Sequence, residues 1–413
     1  MIALLPRETW KRNQLVVCVA VFMVFTGFAF VLPFLPLYVR ELGVTSDEAA
    51  ATWAGVLIGV APLLAGLLAP VWGRLGDRYG QKPMAVRALV SYVILLALSG
   101  AVTTVWQLFA LRTAVGLFGG VGPLGLAMAT ALAPREHTGR AVGSIQSSQI
   151  LAAAVGPVVG GLLAHMIGMR WTFVATAAAC AAALLLLVVF YEEPPRVIAI
   201  GTAPRDRFGD VLRLPGVLPL MAALFLVNFI GRSFTPILPL HLQRMAVPAG
   251  SVALATGVLI SAYSLCAALS AGLLGRATRR REPRTLLVAT LVAGAALVLP
   301  MGMVSHFPAF LVLAVLLGLA AGGSLTLCYT IGGLMVPATK RTTAFGFFSG
   351  AALFGGAISP SIAGLLTRLQ LTAIYWADAA LYLLLALALL PGALAARARA
   401  NASDVPRAAE GGV

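Results

Sequence analysis

The chain has 413 residues, 60% of them hydrophobic and only 10% charged, with a net charge of +15. A water-soluble domain carries roughly 25% charged residues, so this composition excludes a soluble globular protein and predicts an integral membrane protein. The basic residues lie in short loops between apolar runs rather than in one patch, which excludes nucleic acid as a partner.

A membrane-crossing helix takes about 20 mostly apolar residues. Twelve such runs follow in chain order, at 14–38, 50–72, 84–104, 106–131, 141–164, 170–191, 216–241, 251–275, 285–304, 308–333, 343–366 and 371–394. They are numbered here as spans 1 to 12. Span 1 follows Arg7, Lys11 and Arg12, and its apolar stretch from Leu15 to Leu37 is too long for the core of a cleaved signal peptide. The sharpest breaks are expected as charged turns at 73–83, 134–140, 276–284 and 337–342. The longest polar stretch, Glu192–Arg213, contains Pro194, Pro195 and Pro204. It divides the chain into an N-terminal unit (1–191), a linker (192–215) and a C-terminal unit (216–395), with a disordered tail expected at 396–413.

Most of the 29 Lys and Arg lie at the N-terminus, in the even-to-odd loops and in the tail. The opposite loops hold only Arg40, Arg170, Arg244 and Arg368, while Arg112 and Arg232 fall within spans. The positive-inside rule therefore predicts both termini on the cytoplasmic side.

The sequence also repeats itself at a shift of about 203 residues. Pro33, Pro36 and Leu37 return as Pro236, Pro239 and Leu240, and Gly55-Val56-Leu57-Ile58 returns as Gly257-Val258-Leu259-Ile260. Pro134, Ala141, Gly143, Pro157 and Gly161 return as Pro337, Ala344, Gly346, Pro360 and Gly364. Six spans per half give both halves the same direction through the membrane. The fold expected is thus an all-α membrane protein of two six-helix bundles in parallel repeat, related by an axis along the membrane normal, with a substrate site at their interface.

Between spans 2 and 3 stands Gly73-Arg74-Leu75-Gly76-Asp77-Arg78-Tyr79-Gly80-Gln81-Lys82-Pro83. This resembles the loop signature Gly-x-Leu-x-Asp-Arg-x-Gly-Arg-Lys of the major facilitator superfamily, with Gln81 in place of the family's arginine. The resemblance implies that Asp77 latches onto the cytoplasmic start of span 11 near Thr343; Gly73 and Gly80 permit the close approach and positive φ of a tight turn, and Arg78 and Lys82 hold it on the cytoplasmic side. The alternative is a generic hairpin with topogenic charges. Arg112, followed by Gly116, Gly119 and Gly120, is similar to the family's intramembrane arginine motif. A charge within the membrane costs about 2.5–3.5 kcal/mol on the insertion scale, so it is a functional candidate unless it snorkels to the interface. Gly156-Pro157-Val158-Val159-Gly160-Gly161 in span 5 resembles the motif of the family's exporter branch, although a glycine–proline helix also serves plain packing. Pro33-Phe34-Leu35-Pro36-Leu37-Tyr38 and Trp10-Lys11-Arg12-Asn13 are similar to segments of bacterial drug:proton antiporters.

Three ionisable residues fall at membrane depth: Arg112, Arg232 and Asp378. They are the candidates for proton coupling. Asp378, the only acidic residue within a span, either carries the proton, or pairs structurally with Arg232, or sits at the interface. Related proteins often place an acidic residue in span 1 or 4, where this chain has none. Candidate substrate-lining residues are Phe30, Phe34, Trp53, Gln146, Gln149, Asn228, Tyr263 and Tyr329, aromatic and polar groups suited to lipophilic ligands, cationic ones included. No phosphate-binding Gly-rich loop and no His-Glu-x-x-His motif occurs, and His137, His165, His241 and His306 form no cluster in the sequence. Cys18, Cys180, Cys266 and Cys328 have neither metal nor disulfide spacing.

The expected function is therefore not enzymatic and needs no metal or cofactor. It is alternating-access export of small amphipathic compounds in exchange for protons, by a monomer in a bacterial inner membrane. The alternatives are export or facilitated passage of one metabolite, such as a sugar, siderophore or amino acid, and lipid flipping.

Overall fold

A computed structural model describes residues 9–121, 124, 125, 128, 138–193, 212–245, 247–278, 280–336 and 341–403, and it is all-helical over them. Fourteen α-helices follow in order among these residues: α1 (Thr9–Val31), α2 (Leu35–Glu41), α3 (Asp47–Tyr79), α4 (Gln81–Ser99), α5 (Val105–Phe118), α6 (Thr138–Phe190), α7 (Val217–Ser233), α8 (Leu238–Arg244), α9 (Val252–Ala277), α10 (Pro283–Met301), α11 (Phe307–Ala321), α12 (Ser324–Met335), α13 (Arg341–Leu366) and α14 (Ala373–Ser403). Among the described residues nine helical stretches are long and apolar enough to cross a membrane, or ten with the pair α7 and α8, which meet at 41°.

Two features reconcile that count with twelve spans. The first is α6, whose 53 residues would run about 80 Å as one rod, against a hydrocarbon core of about 30 Å. It turns back at Gly168, whose φ of 81° lies in the left-handed region. Its contacts with α1 show two opposed passes. On one pass Gln14 Nε2 donates to Ser144 Oγ, and farther along Gly160 lies against Phe30. On the other, Asn13 Nδ2 donates to the Glu192 carbonyl and Thr176 Oγ1 to the Gly27 carbonyl, while Tyr38 packs on Phe173. Chain numbers rise together on the first pass and oppositely on the second. The second feature is span 4: most of it beyond α5 lies outside the described residues.

Local sequence accounts for the helix ends. Ser46 accepts the Ala49 N–H to cap α3, with Asp47 and Glu48 in its first turn. Thr104 and Gln107 form a reciprocal capping box at α5. The break in span 1 falls at Pro33 and that in span 7 between Ser233 and Leu238, the repeat-related proline positions. The turn expected at 73–83 is corrected: it shrinks to Gly80 alone (φ 103°), because Gly73–Tyr79 continues α3 and Gln81 already opens α4. The Glu193 carboxylate accepts the Gln81 N–H at 2.6 Å, capping α4 from the end of span 6. The last helix also runs to Ser403, into the segment expected as tail, since Ala395–Ala402 is rich in the good helix formers Ala and Arg.

The two six-helix bundles meet along two lines, α3 with α13 and α6 with α9. The membrane face that carries residues 9 and 403 is here the terminal face, and the opposite one the far face.

Candidate functional site

Glycine positions decide where the bundles touch. In the far half of α3, a Cβ on Gly55 would stand 2.1 Å from the Pro360 carbonyl oxygen, and one on Gly59 2.2 Å from that of Ala357. Across the other line, a Cβ on Gly257 would stand 2.2 Å from the Pro157 carbonyl oxygen, and one on Gly161 2.5 Å from that of Ala253. Backbone therefore touches backbone at both seams, which only glycine permits. Gly55 and Gly257 are repeat mates, as are Pro157 and Pro360, and Gly161 and Gly364. Gly364 in turn lies against Ala51 and Thr52. Side-chain hydroxyls stitch the same seams. Thr52 Oγ1 donates to the Gly364 carbonyl at 3.0 Å, Ser361 Oγ to the Gly55 carbonyl at 3.2 Å, and the Val158 N–H to Ser261 Oγ at 3.2 Å.

Charged groups close the far face above the seams. Arg40 Nη1 donates to Gln243 Oε1 at 2.6 Å, and those two residues are themselves repeat mates. Asp47 takes Arg40 of its own bundle at 3.4 Å and Arg244 of the other at 3.2 Å. His165 Nδ1 contacts the Gly250 carbonyl. The terminal half is different. Gly66 of α3, Gly272 and Gly275 of α9, and Gly346 and Gly350 of α13 have open space where a Cβ would stand. Among the described residues the backbone contacts between the bundles lie in the far-face half, and these terminal-half glycines make none.

The glycines and proline expected to act in gating divide accordingly. Pro157 and Gly161 lie in the seam, while Gly156 and Gly160 pack on Thr26, Ala29 and Phe30 of α1 within their own bundle. Arg78 lies over the Tyr79 ring, 5.3 Å from its centroid. The side chains of Asp77 and Thr343 are outside the described residues, as is Gln146, so the latch expected there has no geometry here; the backbone of Gly73 continues α3.

Asp378 sits on α14, five residues or about 8 Å from its far-face start. It is fully buried. Its partner is Ser233, whose hydroxyl contacts Oδ2, while Oδ1 has no hydrogen-bond partner among the described residues. The ion pair with Arg232 expected as one reading does not form. Arg232 and Ser233 are successive on α7 and so face different sides. Ser233 turns to α14, and Arg232 with Asn228 turns to Gly356 of α13. Tyr263 of α9 lies within electrostatic reach of both Arg232 and Asp378.

Arg112 is 1% exposed, so it does not snorkel, and its Nε and Nη2 find no hydrogen-bond partner among the described residues. The expected lining residues are scattered. Phe34 is fully buried in the core at the proline break and lines no open space. Trp53 is engaged edge-on by Trp106 (4.7 Å) and flanked by Phe109 in an aromatic group at the far end of the N-terminal bundle. Tyr329 stacks on Phe345 at 6.0 Å, in the terminal half of the C-terminal bundle. Phe30 and Gln149 are partly buried on α1 and α6.

Sequence reading missed the far-face clasp of Arg40, Asp47 and Arg244, and the imidazole of His241. That ring is buried and hydrogen-bonded to Tyr375 Oη at 2.9 Å. The repeat carries the overlooked signal. His241 stands where the first half has Tyr38, and Asp378 of span 12 stands beside the place of Thr176 in span 6.

The Major Facilitator Superfamily model matches residues 17–258 and again 249–410. The multidrug resistance protein MdtG of Escherichia fergusonii is 32% identical over 326 residues, spanning 78% of this chain and 79% of the relative. MdtG of Proteus mirabilis is 31% identical over 305 residues, or 73% and 76% of the two chains. Among solved structures, a bacterial homologue of the human lysosomal transporter Spinster, inward-facing and occupied, superposes with a TM-score of 0.74 at 17% identity over 95% of this chain and 98% of its own. The human organic anion transporter MFSD10 gives 0.67 at 19% identity, over 93% and 100%. By its two-bundle fold, its doubled family match and these relatives, the chain is a multi-pass membrane protein that belongs to the Major Facilitator Superfamily.

Proposed function

We propose that this protein exports small amphipathic compounds in exchange for protons by alternating access, and that the structure is its inward-facing state. The observation that carries the reading is the pair of glycine–proline seams, whose backbone contacts among the described residues lie in the far-face half. A seam of backbone contacts and a few hydroxyl bonds separates as a unit, because no interlocking side chains have to be withdrawn. The charge bias of the loops supports a cytoplasmic terminal face and a bacterial inner membrane. The substrate class rests on the relatives named for multidrug resistance. Units at 1–191 and 216–395, joined by the linker at 192–215, are the bodies that would rock.

Asp378 is the proton carrier in this proposal, and Arg112 and Arg232 are the fixed cations that set the field around the route. Asn228, Tyr263 and Tyr329 are kept as lining residues in this proposal: Asn228 lies against Gly356 of α13, Tyr263 within electrostatic reach of Arg232 and Asp378, and Tyr329 against Phe345.

The test is ethidium transport in proteoliposomes of purified protein. Accumulation driven by an imposed pH gradient, and abolished when the gradient is collapsed, is the expected result. Ethidium movement indifferent to the gradient would refute proton coupling. Scrambling of fluorescent lipid without ethidium movement would replace export by lipid flipping.

A further inference from the structure

We propose that His241 and Tyr375 form a proton relay that feeds Asp378 from the far face, inside the C-terminal bundle and apart from the seams. The inference rests on the reading of Asp378 as a proton-binding group and adds the route by which the proton arrives.

The geometry begins at the far end of α8, where His241 is 5% exposed and one turn from Arg244. Its ring stands edge-on to Phe310 of α11 and hydrogen-bonds through Nδ1 to Tyr375 Oη of α14. Tyr375 is fully buried, and Asp378 follows it by three residues, so both lie on one face of α14. The two are within electrostatic reach. The remaining groups facing this cluster are few. Ser233 approaches from α7, Tyr263 from α9 and Tyr382 from α14 itself. The helix α10 presents Gly294 to the Tyr382 ring, and its one ionisable residue, Arg284, is at its terminal-face start. No ionisable residue of α11 reaches the cluster, since that helix has none.

The chemistry follows from counting donors. A neutral imidazole with its hydrogen on Nδ1 donates it to the Tyr375 phenol oxygen and leaves Nε2 bare. When a proton binds at Nε2 and the ring becomes a cation, both nitrogens are donors. Nδ1–H still donates to the phenol oxygen, and the phenolic hydrogen passes to Asp378 Oδ1 through one bridging water, since no described donor stands within hydrogen-bond distance of that oxygen. Transfer of that hydrogen to Oδ1, with the Nδ1 hydrogen passing to the phenol oxygen, leaves a neutral imidazole, an intact phenol and a carboxylic acid. One proton has entered and one carboxylate has been neutralised. Only N–H and O–H bonds have formed or broken.

Ser233 makes both forms of Asp378 tenable. Its hydroxyl has one hydrogen and contacts both Asp378 Oδ2 and, at 2.8 Å, the Ile230 carbonyl oxygen. Facing a carboxylate, the hydroxyl donates to Oδ2. Facing a carboxylic acid protonated on Oδ1, it goes on donating to Oδ2, which is then the carbonyl oxygen.

The other half of the molecule is an internal comparison. The repeat mates of His241, Tyr375 and Asp378 are Tyr38, Phe173 and Thr176, to within one residue of shift. There Tyr38 Oη donates to the Ser99 carbonyl at 2.9 Å and Thr176 Oγ1 to the Gly27 carbonyl at 2.9 Å. Those groups are neutral and bonded to backbone, and the ring between them has no hydroxyl. The same scaffold carries a relay in one bundle only.

The experiment is infrared difference spectroscopy of the protein in lipid nanodiscs after a pH jump, with the carboxyl band assigned by its loss in Asp378→Asn. In the unaltered protein the band should follow pH. Tyr375→Phe keeps the ring and removes the hydroxyl. His241→Asn keeps an amide able to bond Tyr375 but cannot take up a proton. Each should slow the response of the band at least about tenfold, a floor below the roughly 10²–10⁴-fold that positioned proton donors contribute. A band that responds at the unaltered rate in both variants overturns the relay, because protons then reach Asp378 by another path. A band that does not change with pH overturns it too. If the relay variants behave as expected while Asp378→Asn still transports ethidium down a pH gradient, the coupling reading fails and the relay stands.

Discussion

Two buried ionisable residues carry the strongest residue-scale consequences. Asp378, with one oxygen on Ser233 and the other unpartnered, sits in a site that tolerates a neutral carboxyl. Asp378→Asn imitates that neutral form. It should therefore retain ethidium binding, measured by fluorescence titration of the detergent-solubilised protein, while gradient-driven transport falls to background. Unchanged transport would remove Asp378 from the mechanism. Arg112 shows the opposite balance. Its guanidinium is buried with two nitrogens lacking a described partner, a costly arrangement that packing alone does not require. Arg112→Met keeps the length and removes the charge. It should raise thermal stability by about 1–3 kcal/mol, the order recovered when a buried charge is replaced by a well-packed apolar group, and at the same time lower transport at least about tenfold. A variant that is stabilised and fully active would leave the arginine without a functional role.

The seams act as elements. On α9, Gly257 faces the Pro157 carbonyl so closely that a single methyl group must push α6 and α9 apart. Gly257→Ala should thus destabilise the sealed far face by about 1–3 kcal/mol, the usual cost of overpacking, and shift molecules toward far-face opening. A thiol-reactive probe applied from the far face to a cysteine introduced at Val158 should then react faster than in the parent. Gly55→Ala should produce the same shift through α3 and α13, since its contact with Pro360 is the repeat mate of the first. A large effect at one glycine and none at the other would show that the two seams do not part together. The clasp of Arg40, Asp47 and Arg244 lies at the surface, where salt screens it. It trims the balance between states, while the glycine contacts set it.

At the scale of the whole molecule, the prediction is that the two bundles move as bodies about the central space. Arg40 and Gln243 meet across the axis that relates the halves. With Cys18, Cys180, Cys266 and Cys328 replaced by serine or alanine, the pair Arg40→Cys and Gln243→Cys should form a disulfide in the sealed state. Ethidium transport should stop on oxidation and return on reduction, with binding from the terminal side retained throughout. Transport that continues in the oxidised protein would mean that far-face opening is not part of the cycle.

The sequence by itself determined the membrane class, the twelve spans, the repeat and the family resemblance, because apolar length, loop charge and recurring glycine and proline are one-dimensional quantities. It also singled out Pro157, Gly161 and Asp378. It did not determine which way any of them faces. Ser233 rather than Arg232 meets Asp378, because successive residues on a helix point about 100° apart, and only the packing of α7 against α14 selects between them. His241 drew no attention as an isolated histidine, since its partners lie more than sixty residues away in α11 and α14. The state of the transporter was equally out of reach. The same glycines suit a seam that is closed or one about to close. Which end is shut depends on contacts between the two halves, and those exist only once the bundles are assembled.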